Sequence, residues 1–341
     1  MSDRLKILVT GASGLLGAGV ARALFARNDD VTVLQRRPAG LGLPEVLGDV
    51  ADLDTVQRAV AGHDAVIHLA AKVNVIGPWA DYHRANIVGT SNVVQACRAA
   101  GVTRLVMVSS PSVAHAGASL VGAGAGPADP EHARGFYPRS KAVAEQIALE
   151  ADSGDLSVVA VRPHLVWGPG DPQLVARIVE RARSGRLPLI GSGGALVDST
   201  YVSNAVDALV AALDHCVDAR GQALVVSNGE PRTVQEWLGD LCAAAGVARP
   251  SRHVPSSLAL TAGGAVQAVW PAVQRLRSAL PKRPGGSPAG DGDPPLTRFV
   301  VEQLSTAHWF DQRQTREVLR WRPLVSYDQG IAELARWYAT R

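Results

Sequence analysis

Cysteine is scarce in this chain. Its three cysteines, Cys97, Cys216 and Cys242, are odd in number and far apart. They offer neither a metal-ligand spacing nor a disulfide framework, and they suit a reducing, cytoplasmic setting. Charge of one sign is also missing. The 34 Lys and Arg are spread among 31 Asp and Glu, for a net charge of +3. No basic block is present to read nucleic acid, so no nucleic-acid partner is expected. No apolar run reaches the roughly 18 residues of a spanning helix. The opening "MSDRLKILVTGASG" passes straight into a strand and a glycine turn. It has no basic segment followed by an apolar stretch and a cleavage site, so no secretion signal is expected.

What the chain does have is alternation. Apolar residues make up 47% of its 341 positions, ample for a large core. Short β-rich runs at 6–11, 31–36, 64–71, 104–110 and 156–163 are separated by helical patterns, among them 15–28, 81–101 and a helix that opens near residue 137. Strands that are apolar throughout and alternate with helices mean a parallel sheet covered on both faces. The expected fold is therefore α/β, a Rossmann-type doubly wound parallel sheet with a smaller C-terminal substrate domain. Residues 1–170 form the dinucleotide-binding part, with 200–230 returning to it. Residues 171–199 and 231–341 form the substrate region. Thr233 and Glu236 read as a capping box that opens a helix through Ala245. The glycine- and proline-rich 281–295 reads as a mobile loop.

"VTGASGLLGAG" puts Gly11, Gly14 and Gly17 directly after the first strand and at the start of the first helix. Glycines there permit a tight turn and a close approach of backbone to a pyrophosphate, and the helix N-terminus offers N–H groups to the phosphates. Ser13, Leu15 and Leu16 complete this turn. The second strand ends at Gln35, followed by Arg36 and Arg37. No carboxylate stands where the ribose hydroxyls of NAD would be bound, and guanidinium groups suit the 2′-phosphate of NADP. NADP(H) is the preferred cofactor on this reading, with NAD(H) as the alternative. Asp49, followed by Val50, ends the third strand, where it is placed to accept from the adenine amino group.

Tyr137 and Lys141 lie four residues apart in "GFYPRSK", on one helical face. A cation one turn away favours the phenolate of Tyr137. Pro138 is tolerated because its missing N–H has no helical partner in a first turn. His68, His115 and His164, at strand ends, read as packing or pocket-lining residues, since no spacing ties them to a metal or a nucleophile; no metal site is expected. The loop 115–135, rich in glycine and alanine, reads as a mobile lid. The apolar, then basic segment 256–280 fits a core helix, a wall of a lipid-sized pocket or a surface helix on a membrane, and core or pocket is the plainer reading.

"TGASGLLG", "HLAA" (68–71), "YPRSK" and "RPHLVWGPGD" (162–171), in this order, resemble the extended short-chain dehydrogenases/reductases along nearly the whole chain. The narrower likeness is to their 3β-hydroxysteroid dehydrogenase-like branch. Within it, "SSPSVAH", "VDSTYVSNA", "SNGEP" and "PPLTRFVVEQLSTAHWF" resemble the 2-alkyl-3-oxoalkanoate reductases of olefin and β-lactone biosynthesis. The resemblance implies a catalytic set of Tyr137 as acid/base, Lys141 as its assistant and Ser110 on the carbonyl, with Ser109 and Ser112 as neighbours able to take that place. It implies that Leu69, Ala70, Ala71, Lys72 and Asn86 line the cofactor. Tyr137 and Lys141 would also touch it, and Pro163, Leu165 and Val166 would meet the nicotinamide amide. The resemblance implies NADPH-dependent reduction of the 3-keto group of a small, lipid-like 2-alkyl-3-oxoalkanoic acid to the 3-hydroxy acid, with Tyr137 as proton donor. A 3β-hydroxysteroid dehydrogenase working in the oxidative direction with NAD(P), a nucleotide-sugar epimerase or dehydratase, and a non-catalytic NADP sensor are the competing readings. The resemblance also leaves room for peripheral membrane contact and for a homodimer through the helices at 81–101 and 138–150.

Overall fold

The computed structural model describes residues 4–74, 77–278 and 297–341. The segment 281–295 lies outside the described residues. The first strand, β1 (Lys6–Thr10), is followed by α1 (Leu15–Ala26), β2 (Asp30–Gln35), β3 (Glu45–Leu47), α2 (Leu53–Val60) and β4 (Ala65–His68). Then come α3 (Trp79–Tyr82), α4 (Gly89–Ala100), β5 (Arg104–Val108), β6 (Leu120–Ala123), α5 (Phe136–Leu149) and β7 (Ser157–Pro163). A single π-helical stretch, His83–Val88, joins α3 to α4, so the helix expected at 81–101 starts earlier and is widened in the middle.

Seven strands form one parallel sheet in the order β3-β2-β1-β4-β5-β7-β12, the last being β12 (Ala223–Val226). The order reverses direction between β1 and β4, and ligands of such sheets bind outside the carboxyl ends of the strands at that point. The strands are apolar throughout because both faces are covered. On one face α2, α4 and α5 pack over Leu8, Val66, Leu105 and Val158. On the other, α1 packs over Ile7, Val9 and Val106 beside Leu209 and Leu213 of a later helix.

After β7 the elements shorten: β8 (Val166–Trp167), α6 (Leu174–Arg183), β9 (Leu189–Ile190), β10 (Leu196–Val197) and β11 (Thr200–Tyr201) precede α7 (Val202–Asp214), which brings in Leu209 and Leu213. After β12 follow β13 (Arg232–Thr233), α8 (Val234–Ala244), β14 (His253–Val254) and α9 (Ser256–Ser278). The chain closes with α10 (Arg298–Ser305), β15 (His308–Phe310), α11 (Arg313–Val318) and α12 (Tyr327–Ala339). Thr233 caps α8 with the reciprocal Glu236 bond its sequence foretold. A second sheet, β13-β10-β15-β6, sits beyond the large one. A separate core under it joins Trp167, Tyr201, Trp237, Leu241 and Tyr327.

Two expectations change here. The loop 115–135 is not structureless: its middle is β6, which pairs with β15 and is held by the Leu120 N–H on the Ala307 carbonyl at 2.7 Å. Alternation at 120–123 is too short and too glycine-rich to reveal a strand whose partner lies nearly 190 residues away. Segment 256–280 is helical through Ser278 and neither wholly core nor wholly surface, since Ala259 is buried against Ile190 and Val301 while Leu258 and Val269 are exposed. No helix among the described residues is long and apolar enough to cross a membrane.

Candidate active site

The glycine turn is shaped by contacts that no side chain would survive. Gly11 has φ of +77°, and a Cβ on it would lie 2.7 Å from the Ala70 nitrogen. A Cβ on Gly17 would lie 2.4 Å from the Gly11 carbonyl oxygen. The turn therefore folds back on itself and against the end of β4. Ser13 and Gly14 are exposed at its tip, Leu15 and Leu16 are half-buried, and no side chain caps the first turn of α1. That cradle fits a pyrophosphate: backbone N–H groups open to one side, with the positive end of the helix behind them.

Beside the turn, β4 is followed by Leu69, Ala70, Ala71 and Lys72, all half-buried. Asn86 ties this stretch down. It accepts from the Lys72 N–H at 2.7 Å, and its amide donates to the Lys72 carbonyl at 3.1 Å and to the Ser140 hydroxyl at 2.8 Å. Asn86 is buried and lies in the π-helical stretch, a distortion often found at functional positions. Through Ser140, which donates to the Tyr137 carbonyl, the same amide braces the helix that bears Tyr137.

At the far end of the turn, Gln35 closes β2 and is buried. Arg36 and Arg37 are exposed and have no partner among the described residues. The sequence suggested no carboxylate here, and the structure corrects that. Glu45, at the start of β3, accepts from the Gln35 side-chain amide and, at 3.0 Å, from the Ala39 N–H. It comes from the next strand, ten residues along, where the local pattern around Gln35 gives no hint of it. Asp49 is bonded to the Ala51 N–H at 3.0 Å and paired with Arg84 at 3.2 Å. Val50 is buried beside it, its carbonyl accepting from Asn92.

Tyr137 and Ser110 meet. The Ser110 hydroxyl lies close enough to the phenol of Tyr137, in the first turn of α5, to favour its ionised form. Burial pushes the Tyr137 phenol above its usual range, and Ser110 works against that shift. Ser109, by contrast, has a buried hydroxyl with no partner among the described residues. Lys141 is buried, and its ammonium donates to the Val108 carbonyl at 2.6 Å. Burial lowers its pKa to about 8, while the nearby Glu145 carboxylate raises it. The spacing suggested that Lys141 tunes Tyr137 directly. Here its contact is the end of β5, and burial and Ser110 are what act on the phenol. Glu145 is itself held by Arg162 of β7 at 2.8 Å, a fully buried pair that fixes α5 on the sheet. Beyond Pro163, Leu165 takes a φ of +42°, a left-handed position that costs a branched residue about 1–2 kcal/mol. There the chain leaves β7 for Val166 of β8.

The histidines divide into two kinds. His68 bonds Thr10 at 2.8 Å and Thr90 at 3.1 Å, and burial lowers its pKa to about 3. It is a satisfied core residue. His115 and His164 instead gather round His308 of β15, which the sequence did not single out. The His308 and His115 Nε2 atoms are 3.0 Å apart, and the His164 and His308 rings lie 6.1 Å apart. No group of metal-binding side chains occurs among the described residues.

The 3-beta hydroxysteroid dehydrogenase/isomerase family pattern matches residues 8–256. This chain belongs to that family. The 2-alkyl-3-oxoalkanoate reductase of Stenotrophomonas maltophilia (strain K279a) is 40% identical over 340 residues, covering 97% of this chain and 98% of that one. A second 2-alkyl-3-oxoalkanoate reductase, from Shewanella oneidensis, is 34% identical and covers 96% of this chain and 84% of its own length. Among solved structures, MoeE5 in complex with UDP-glucose and NAD is 27% identical with a TM-score of 0.70, covering 98% of this chain and 99% of that one. As a member of the 3-beta hydroxysteroid dehydrogenase/isomerase family the chain is an oxidoreductase of the short-chain dehydrogenase/reductase type, and its relatives support a ketoreductase role.

Proposed function

We propose that this chain reduces the 3-keto group of a lipid-like 2-alkyl-3-oxoalkanoic acid to the 3-hydroxy acid, with NADPH as the reductant. The observation that carries this reading is the 40% identity, over nearly all of both chains, to a reductase of that substrate class. The influence of the Ser110 hydroxyl on the Tyr137 phenol supports it from the chemical side.

Gly11, Gly14 and Gly17 would hold the pyrophosphate on backbone N–H groups, and the 69–72 stretch braced by Asn86 would lie along the cofactor. Leu165 and Val166 would meet the nicotinamide amide, and Lys141 would bond its ribose. Bound NADPH supplies a hydride to the ketone carbon. The protein's own part is the oxygen. Ser110 donates a hydrogen bond to the carbonyl, and Tyr137 gives its phenolic proton to the oxygen as negative charge develops there. Arg36 and Arg37, exposed and unpaired among the described residues, support the 2′-phosphate. Glu45 is no bare charge, because two N–H donors already hold it.

Oxidation of a 3β-hydroxysteroid is the second reading, favoured by the family's name. An NADPH-oxidation assay with a synthetic 2-alkyl-3-ketoacid, run beside a steroid panel with NAD, separates the two. Turnover of the ketoacid alone is expected. Turnover of steroids alone overturns the proposal.

A further inference from the structure

We infer that Ser112 is a positioning residue that fixes the direction of the Ser110 hydroxyl, an inference that rests on the ketoreductase reading above. Ser110 ends the loop after β5 and caps the short 3-10 turn Pro111–Ala114. Two groups of Ser112 reach its oxygen. The Ser112 N–H points at Ser110 Oγ at 3.3 Å, and the two hydroxyl oxygens are 2.9 Å apart. Ser112 is buried, and its hydroxyl has no other partner among the described residues.

Counting protons decides the direction. A serine oxygen has one proton to give and two lone pairs to fill. The Ser112 N–H takes one lone pair. If the Ser112 hydroxyl donates as well, both are filled, and the Ser110 proton must go outward. If the Ser112 hydroxyl accepted instead, the Ser110 proton would be spent on it and nothing would be left for Tyr137 or for a ketone. Only the first arrangement leaves Ser110 a donor toward the reacting oxygen. In the substrate-free chain the same proton is turned to the phenol, the sense in which Ser110 favours the phenolate. Lys141 is turned to Val108, Glu145 is paired with Arg162, and His68 is bonded to two threonines, so none of these does the same work. The proton delivered to the ketone is still the one that leaves Tyr137; Ser112 gives none to the substrate.

The test compares Ser112→Ala, Ser112→Cys and Ser112→Thr with the wild-type chain and with Tyr137→Phe, using NADPH and the 2-alkyl-3-ketoacid. Ser112→Ala and Ser112→Cys, which lose the strong donor, should lower kcat about tenfold and leave KM for NADPH unchanged. The alkaline limb of the kcat/KM profile, which reports the substrate-free chain in which the Ser110 proton is turned to the phenol, should move up by about one pH unit, because the phenolate loses an oriented donor. Ser112→Thr, which keeps the hydroxyl, should restore both. Unchanged kcat and an unmoved limb overturn the inference. So does a loss of kcat that tracks a fall in Tm with the limb in place, since that marks packing alone. Survival of turnover in Tyr137→Phe sinks the underlying reading instead; an inactive Tyr137→Phe beside ordinary Ser112 variants sinks only this one.

Discussion

The two sheets of this molecule are built in opposite ways. The seven-stranded sheet is parallel, and most of its neighbouring strands are joined by helical crossovers; buried strands such as β4 and β7 carry almost nothing but apolar side chains. The four-stranded sheet gathers two- to four-residue strands from positions 120 to 310, and His308 of β15 and His115 of the turn before β6 meet His164 from the end of β7. The first sheet gets its precision from backbone: the tight turn at Gly11 to Gly17 and the carbonyl end of β5 that receives Lys141. In the second, His115 and His308 are buried, and burial lowers the pKa of both. Ser110 after β5, and Tyr137 and Lys141 on α5, sit with the large sheet.

The sharpest way to break that division is to remove the phenol. Tyr137→Phe should lower turnover about 10³-fold with NADPH binding, followed by nucleotide fluorescence, nearly intact. Normal turnover would show that the large sheet's end is not where the proton comes from. Gly17→Ala is the next test. Its new methyl would meet the Gly11 carbonyl at 2.4 Å, with backbone on both sides and nothing flexible to yield. Loss of measurable NADPH binding and a stability loss of about 3 kcal/mol in urea titration are expected. A Gly17→Ala chain that binds normally would mean the turn is not the cradle.

The same contrast explains what could be read from residues alone. The large sheet announces itself because each buried strand is a local apolar run and each crossover a local helical period. Gly11, Gly17, Ser110, Tyr137 and Lys141 sit at the ends of those elements, so position along the chain nearly fixes position in space. β6 and β15 carry no such signal. Four residues cannot show a period, and β6 and β15 are segments nearly 190 residues apart that meet only after folding. His308, Glu45 and the double contact of Ser112 on Ser110 were invisible for the same reason, since each depends on a partner in another segment or on a hydroxyl direction.

Acid should find the histidine cluster first. Burial lowers His164 and His308 to about 3, with His115 adding to both shifts and His308 to that of His164. An unfolded chain takes up these protons near pH 6.5 while the folded one refuses them, so stability is complete above about 6.5 and falls as the pH drops toward 3. At pH 5 the loss should be on the order of 2 kcal/mol for each such histidine. His68 contributes in the same direction from the large sheet. Replacing His308 with Gln removes one refusing site, so Tm should fall less steeply between pH 7 and 5 in that variant. An identical slope would place the acid sensitivity elsewhere.

The smallest expected effect lies at the outer end of the large sheet, where Arg36 and Glu45 act in opposite senses. A 2′-phosphate gains from the Arg36 guanidinium and loses from the Glu45 carboxylate; a ribose hydroxyl does the reverse. Because Gln35 and Ala39 each donate a hydrogen bond to Glu45, part of its charge is already answered, and Arg36 should win. NADPH is then preferred over NADH in kcat/KM by about tenfold, a difference of about 1.4 kcal/mol. Arg36→Ala should abolish that preference, and Glu45→Gln, which keeps the shape but not the charge, should widen it. Equal use of the two cofactors by the wild-type chain would mean that the carboxylate supplied by β3, and not the arginines that follow β2, governs this end of the site.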